Sequence, residues 1–261
     1  MTWKLCILFI SIAFLRCTTI TQSETDISGT EIKKDTSKIE RYQLNHKNDD
    51  IPSEAIGTVS NGQLKHGKLF PFNGENYQYF DTNSYIHDRA YLHDKVLKSV
   101  LETYVYFETK APGRQFTIME CSGKSGGQLY PHRTHQNGLS IDFMMPLVKN
   151  GEPFYEYDNT GQSHYLLDFD NTGRLTQDTT VSIDFELAAQ HILALDSIGK
   201  SNNISILKVI INTDLKDELY SSTIGNKLKT SDIYVVQSLT PLINSLHDDH
   251  YHIDFQIMSK K

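Results

Sequence analysis

Two short windows hold the side chains best suited to chemistry. The first, Pro131 to Asp142, supplies His132, His135 and Asp142. The second, His247 to Phe255, supplies His247, His250 and His252, so five of the eleven histidines fall in these windows. Ser140-Ile141-Asp142-Phe143-Met144 and His250-Tyr251-His252-Ile253-Asp254-Phe255 both alternate polar and apolar residues, which predicts strands. A strand repeats every two residues, so His250, His252 and Asp254 should share one face and Tyr251, Ile253 and Phe255 the other. A divalent ion held by His135, Asp142 and His252 would have three nitrogen and oxygen ligands and a fourth position open to water. That is the composition of a catalytic zinc site rather than a structural one.

Other elements must position these strands. Arg89 to Phe107 carries Leu92, Val96, Val100, Tyr104 and Phe107 at helical spacing and stops before Pro112-Gly113, which predicts a core helix. Gln115 to Cys121 reads as a strand running into the glycine-rich segment Ser122 to Gly127. That segment lacks the spacing of a phosphate-binding loop and opens no helix, so no nucleotide is expected there. Asp184 to Ser197 predicts a second helix with Gly199 as its C-cap, and Ile204 to Ile211 a β-branched strand. A short helix near Asp214 to Tyr220 and an apolar helix near Ile233 to Leu246 follow. Gly57 to Gly62 and Phe70 to Gly74 read as loops leaning on the site, and Asn150 to Thr180 as an inserted polar region of solvated turns beside it. The expected fold class is α+β, with a small, mostly antiparallel sheet flanked by helices and the zinc site on the sheet face.

Residues 1–20 read as a secretory signal, since Leu5 to Leu15 is apolar but too short to span a membrane. Cys17 follows closely enough to be a lipid-anchor candidate, although Phe14-Leu15-Arg16 is a poor lipoprotein cleavage context. Residues 21–54 form an expected flexible linker, its part from Gln22 to about Asp50 too polar to offset its ordering entropy, and 55–261 one domain. Beyond the leader only Cys121 is certain to remain, so stability must come from a core rather than disulfides. A net charge of -7 without a basic cluster argues against nucleic acid as partner.

His132-Arg133-Thr134-His135-Gln136-Asn137-Gly138-Leu139-Ser140-Ile141-Asp142, preceded by Gly126-Gly127 and followed by His247, His250 and His252, resembles the penicillin-insensitive murein endopeptidase family. That family has the lysostaphin-like, D-Ala-D-Ala peptidase and hedgehog-like zinc fold. Ser60-Asn61-Gly62, Gly74-Glu75-Asn76-Tyr77-Gln78 and Val209-Ile210-Ile211-Asn212 extend the resemblance over about 55 to 258. It implies that His135, Asp142 and His252 bind Zn2+, that His250 acts beside the metal, and that His132 and His247 line the site. It also implies the substrate: the D-alanyl–meso-diaminopimelate cross-link between peptidoglycan peptide stems, reached in the periplasm. The stretch between Asp142 and His247 is longer than the family pattern.

The expected reaction is metal-assisted amide hydrolysis with His250 as general base, while His132 and His247 stabilise the oxyanion or orient ligands. Alternatives are a D-Ala-D-Ala carboxypeptidase of the same fold and a non-catalytic, zinc-bearing wall-binding protein. Retention of the non-ligand His250 disfavours the second. His46, His66, His87, His93, His164 and His191 are read as surface or satisfied core residues. Asp248, Asp249 and Asp254 are read as solvated carboxylates at a strand end, and Arg133 as an exposed arginine or a contact for a substrate carboxylate.

Overall fold

The computed structural model describes residues 37–259. The expected leader and Cys17 lie outside the described residues. In chain order the first elements are α1 (37–45), β1 (Glu54–Thr58), β2 (Asn61–Lys65), β3 (Lys68–Leu69), β4 (Tyr77–Tyr79), α2 (Thr82–Ile86), β5 (Tyr91–Leu92), α3 (Asp94–Lys110) and β6 (Phe116–Ile118). There follow β7 (Ser140–Met144), β8 (Leu147–Lys149), β9 (Glu152–Phe154), β10 (Val181–Ile183), α4 (Phe185–Ser201) and β11 (Ile204–Ile210). The last are α5 (Lys216–Ser221), α6 (Thr223–Lys229), α7 (Pro241–Ser245) and β12 (His250–Ile257).

The α+β architecture expected from the pattern is present. Its centre is a five-stranded sheet in the order β11-β12-β7-β6-β4, antiparallel except for the parallel β4–β6 pair. β7 and β12 lie side by side with His252 opposite Asp142 and His250 opposite Met144. Directly opposed residues of an antiparallel pair share a face, so this register alone puts the His252 and Asp142 side chains together. Tyr251, Ile253 and Phe255 take the other face and are almost wholly buried. Burying side chains of this size stabilises by about 1.5–3 kcal/mol each. α4 covers that face: its buried residues Ala188, His191, Ile192 and Leu195 recur at helical spacing, and His191 bonds the Tyr251 hydroxyl.

The β1–β2 hairpin braces the first histidine window, as a leaning loop should. Gln136 donates its N–H to the Val59 carbonyl, and Gly127 donates to both Gly62 and Gln136. Gly126 has φ +66, and a Cβ there would stand 2.3 Å from the Gln136 carbonyl oxygen, so only glycine permits this approach.

Several expectations are corrected. Part of the segment read as a tether is packed: in α1 and beyond, Gln43 bonds Tyr85, Tyr42 stacks on His46 at 4.0 Å, and Asn48 bonds both the N–H and C=O of Leu69. A few aromatic and amide anchors secure this polar stretch. The core helix begins at Asp94, capped by His93, because Leu92 is already committed to pairing in β5. Gly199 lies inside α4 against Ile204 instead of capping it. The apolar stretch from Ile233 is not one helix. Val235 bridges Val209 beside the sheet, and only α7, capped by Thr240 with Pro241 in its first turn, is helical. Available pairing at the edge of β11 overrode the apolar spacing.

Candidate active site

β7 ends the first histidine window and β12 the second, so Asp142 and His252 are set on neighbouring strands and the other groups on the loops that enter them. His135 sits at φ +67, a left-handed conformation rare for a residue with a Cβ, and is 0 % exposed. Such strain persists where the surroundings over-determine it, commonly at sites that do chemistry. Its Nε2 lies 3.3 Å from Asp142 Oδ2, while His252 Nδ1 lies 2.7 Å from Asp142 Oδ1. One carboxylate is therefore bracketed by two imidazoles. His132 Nδ1 stands 3.8 Å from Asp142 Oδ2, and its ring meets that of His135 edge-on at 4.8 Å.

Both ring nitrogens of His135 and the Asp142 Oδ2 are buried without a hydrogen-bond partner. Leaving such groups unpaired costs about 1–3 kcal/mol each, so several converging on one point fit a positively charged ligand. Burial alone would raise the Asp142 carboxyl's pKa, but His135 and His252 override this and hold it well below the usual range. A divalent cation suits that donor set of imidazole nitrogen and carboxylate oxygen.

Ligand atoms of His132, His135 and Asp142 lie within 4.8 Å of one another, a cluster able to hold a metal ion. That grouping contains His132 where the resemblance implied His252, whose two nitrogens meet Asp142 Oδ1 and Asp254 Oδ1, each at 2.7 Å. Burial would lower the His252 pKa, yet Asp254 and Asp142 hold it up at about 10. Its Nδ1 is the nitrogen turned toward Asp142 and is the one that would meet a cation. Its Nε2–H would remain on Asp254, the carboxylate–histidine arrangement usual behind a metal ligand.

The second window is equally ordered. His250 Nδ1 donates to Asp249 Oδ1 at 2.6 Å, and this carboxylate raises the imidazole's pKa although burial opposes it. His247 gives its Nδ1–H to the Ile243 carbonyl at 2.7 Å, and its ring lies tilted against that of His250 at 4.9 Å. Burial, assisted by His250, lowers the His247 pKa to about 4, and burial next to His135 lowers that of His132 to about 3. All six side chains singled out in the sequence therefore meet in one place, with Asp142 at its centre.

The three neighbouring carboxylates are not solvated. Asp248 accepts the Phe169 N–H at 3.1 Å, Asp249 holds His250, and Asp254 is 0 % exposed, bonded by Ser140 and paired with Lys208 at 3.0 Å. Asp248 and Asp254 found partners far away in sequence or on the next strand, which no local pattern announces, while Asp249 holds the residue beside it. Glu120 went unnoticed for the same reason: it is buried, receives Arg89 Nε at 2.6 Å and Ser84 Oγ at 3.0 Å, and burial raises its pKa. The backbone N–H of Asp142 bonds the Glu120 carbonyl, tying that network to the ligand strand.

Among the histidines read as bystanders, His191 is a core residue, while His46, His66 and His93 make local contacts. His164 is buried too, but it lies against the site: its Nε2 is 3.1 Å from the Asp249 carbonyl oxygen. Arg133 is exposed. No helix among the described residues is long and apolar enough to cross a membrane. No curated protein matches the chain. A family model described as penicillin-insensitive murein endopeptidase matches residues 55–260.

Proposed function

The chain belongs to the penicillin-insensitive murein endopeptidase family, and on that premise we propose that it hydrolyses the D-alanyl–meso-diaminopimelyl cross-links of peptidoglycan with a zinc ion. Membership carries the coarser reading, a peptidase acting on murein. The bond is the one the family resemblance implies, and the ion rests on a single observation: the buried, unpartnered His135 Nε2 and Asp142 Oδ2, 3.3 Å apart, with His252 Nδ1 on the other oxygen of the same carboxylate. His135, Asp142 and His252 would hold the ion, and His132 stands close enough to line it. The ion, when bound, would act as a Lewis acid on the scissile carbonyl and acidify the attacking water.

The protein's own groups do the rest. Asp249 fixes the His250 ring through Nδ1, which leaves Nε2 as the nitrogen that takes the water's proton and returns it to the leaving amine. His247 packs against His250 and limits how that ring can turn. Asp254 holds His252 from behind. The substrate, the peptide stems of the cell wall, requires an exported protein, and we assign it to the periplasm, with Cys17 as a candidate lipid anchor.

The reading is tested by digesting purified muropeptide dimers with the protein, with zinc, with chelator, and as His250→Ala, with products weighed by mass spectrometry. Zinc-dependent conversion of dimers to monomers is expected, lost with chelator and in the variant. Intact dimers beside a bound zinc ion would overturn it in favour of another bond or a binding role.

A further inference from the structure

The polar region between β9 and β10 reaches into the site. The two turns of 3-10 helix at Gly161–Leu166 carry His164 and Tyr165, and two contacts fasten this stretch to the second histidine window. His164 Nε2 meets the Asp249 carbonyl, and the Phe169 N–H donates to Asp248. Tyr165 is thereby set with its ring edge-on to His250 at 5.7 Å and edge-on to Phe80 at 5.9 Å. Its hydroxyl is buried and has no hydrogen-bond partner. Asp142, Glu120 and Asp249, the last being the carboxylate that orients His250, are the charged groups that act on this hydroxyl most.

An orphaned phenol is costly to keep. It lies where amide hydrolysis needs a donor: negative charge gathers on the scissile oxygen in the transition state. Three neighbouring groups have donors already committed, while His132 stands on the Asp142 side at 3.8 Å from Oδ2. His247 and His250 give their Nδ1–H groups to Ile243 and Asp249, and Arg89 gives Nε to Glu120 and Nη1 to the Tyr130 carbonyl. Burial holds the phenol's pKa well above its usual value, so the hydroxyl keeps its proton at any working pH.

We propose that the Tyr165 hydroxyl donates a hydrogen bond to the oxygen of the scissile carbonyl as charge develops there, so that the 150–180 region supplies a catalytic residue. No proton is transferred; the O–H bond stays intact throughout. The proposal rests on the endopeptidase reading, and its test separates the two. Tyr165→Phe keeps the ring packed on His250 and Phe80 and removes only the oxygen.

For the variant, kcat on muropeptide dimers should fall about 100-fold while KM stays within about threefold of the parent, the split expected when a transition-state contact alone is lost. A phosphinate dipeptide that replaces the scissile amide by a tetrahedral group should bind the variant about 10- to 100-fold more weakly by calorimetry. Zinc content and melting temperature should match the parent. Unchanged kcat and unchanged phosphinate affinity, in a parent that cleaves dimers, would overturn the role of Tyr165 and leave the endopeptidase reading standing. Loss of zinc or a lowered melting temperature would also overturn it, by making the hydroxyl structural. A parent that neither cleaves dimers nor binds the phosphinate overturns both.

Discussion

The two faces of β12 carry two kinds of buried histidine. On the α4 face, His191 is 0 % exposed and surrounded by Tyr104, Phe107, Phe116 and Phe143, with Nδ1 2.7 Å from the Tyr251 hydroxyl. On the other face His135 is equally buried, yet neither nitrogen has a partner and a carboxylate oxygen lies 3.3 Å away, itself unpaired. Burial therefore does not distinguish a site from a core. What does is the convergence of several unpaired donor atoms of complementary chemistry on one point. Burial among aromatic rings holds the first histidine neutral, whereas the second lies against the unpaired carboxylate oxygen of Asp142.

The strongest way to break this contrast is Asp142→Asn. It removes the charge on which His135 and His252 converge, and we expect metal content after dialysis and dimer hydrolysis both to become undetectable. Retained stoichiometric zinc would mean that the donors were misassigned.

The core side of the contrast is sharpened by pH. Burial depresses the His191 pKa to about 3, from an ordinary value of 6.5, so the unfolded chain takes up that proton first. Stability from this residue is complete above about pH 6.5 and drains away as pH falls toward 3, by up to about 5 kcal/mol at 1.36 kcal/mol per unit. His191→Phe should flatten that acid slope in denaturant titrations at several pH values. At pH 7 it should cost about 1–2 kcal/mol because the Tyr251 hydroxyl loses its acceptor, and it should leave metal content alone. An unchanged acid slope would show that the histidine is not the titrating group.

A smaller effect separates a ligand from its support. Asp254→Asn keeps an acceptor behind His252 but removes its charge, and metal affinity should fall about 10- to 100-fold, with hydrolysis restored at saturating zinc. Loss of activity that no zinc concentration restores would place Asp254 in the chemistry itself.

Much of this was legible in the chain. The two windows name their own donors, and alternation over 140–144 and 250–255 assigns each side chain to a face, because a strand's period of two is fixed by backbone geometry. Helical spacing, with its period of 3.6, likewise drew α4 and most of α3. The apolar spacing from Ile233 to Leu246 misled because helix periodicity competes with sheet pairing, and the vacant edge of β11 won at Val235. The expected polar tether proved partly anchored by Tyr42, Gln43 and Asn48, residues whose partners are some 20 to 50 positions away.

The composition of the site, its imidazoles and the central Asp142, was thus set by residue type and by spacing within single strands, which depend on covalent geometry alone. Tertiary structure decided everything that depends on distant partners. It chose His252 as the residue opposite Asp142, buried Asp248, Asp249 and Asp254, and brought Tyr165 of the polar region against His250. The reason is physical. Register and burial are settled by which surfaces meet when the chain closes, and no window of a dozen residues contains both surfaces.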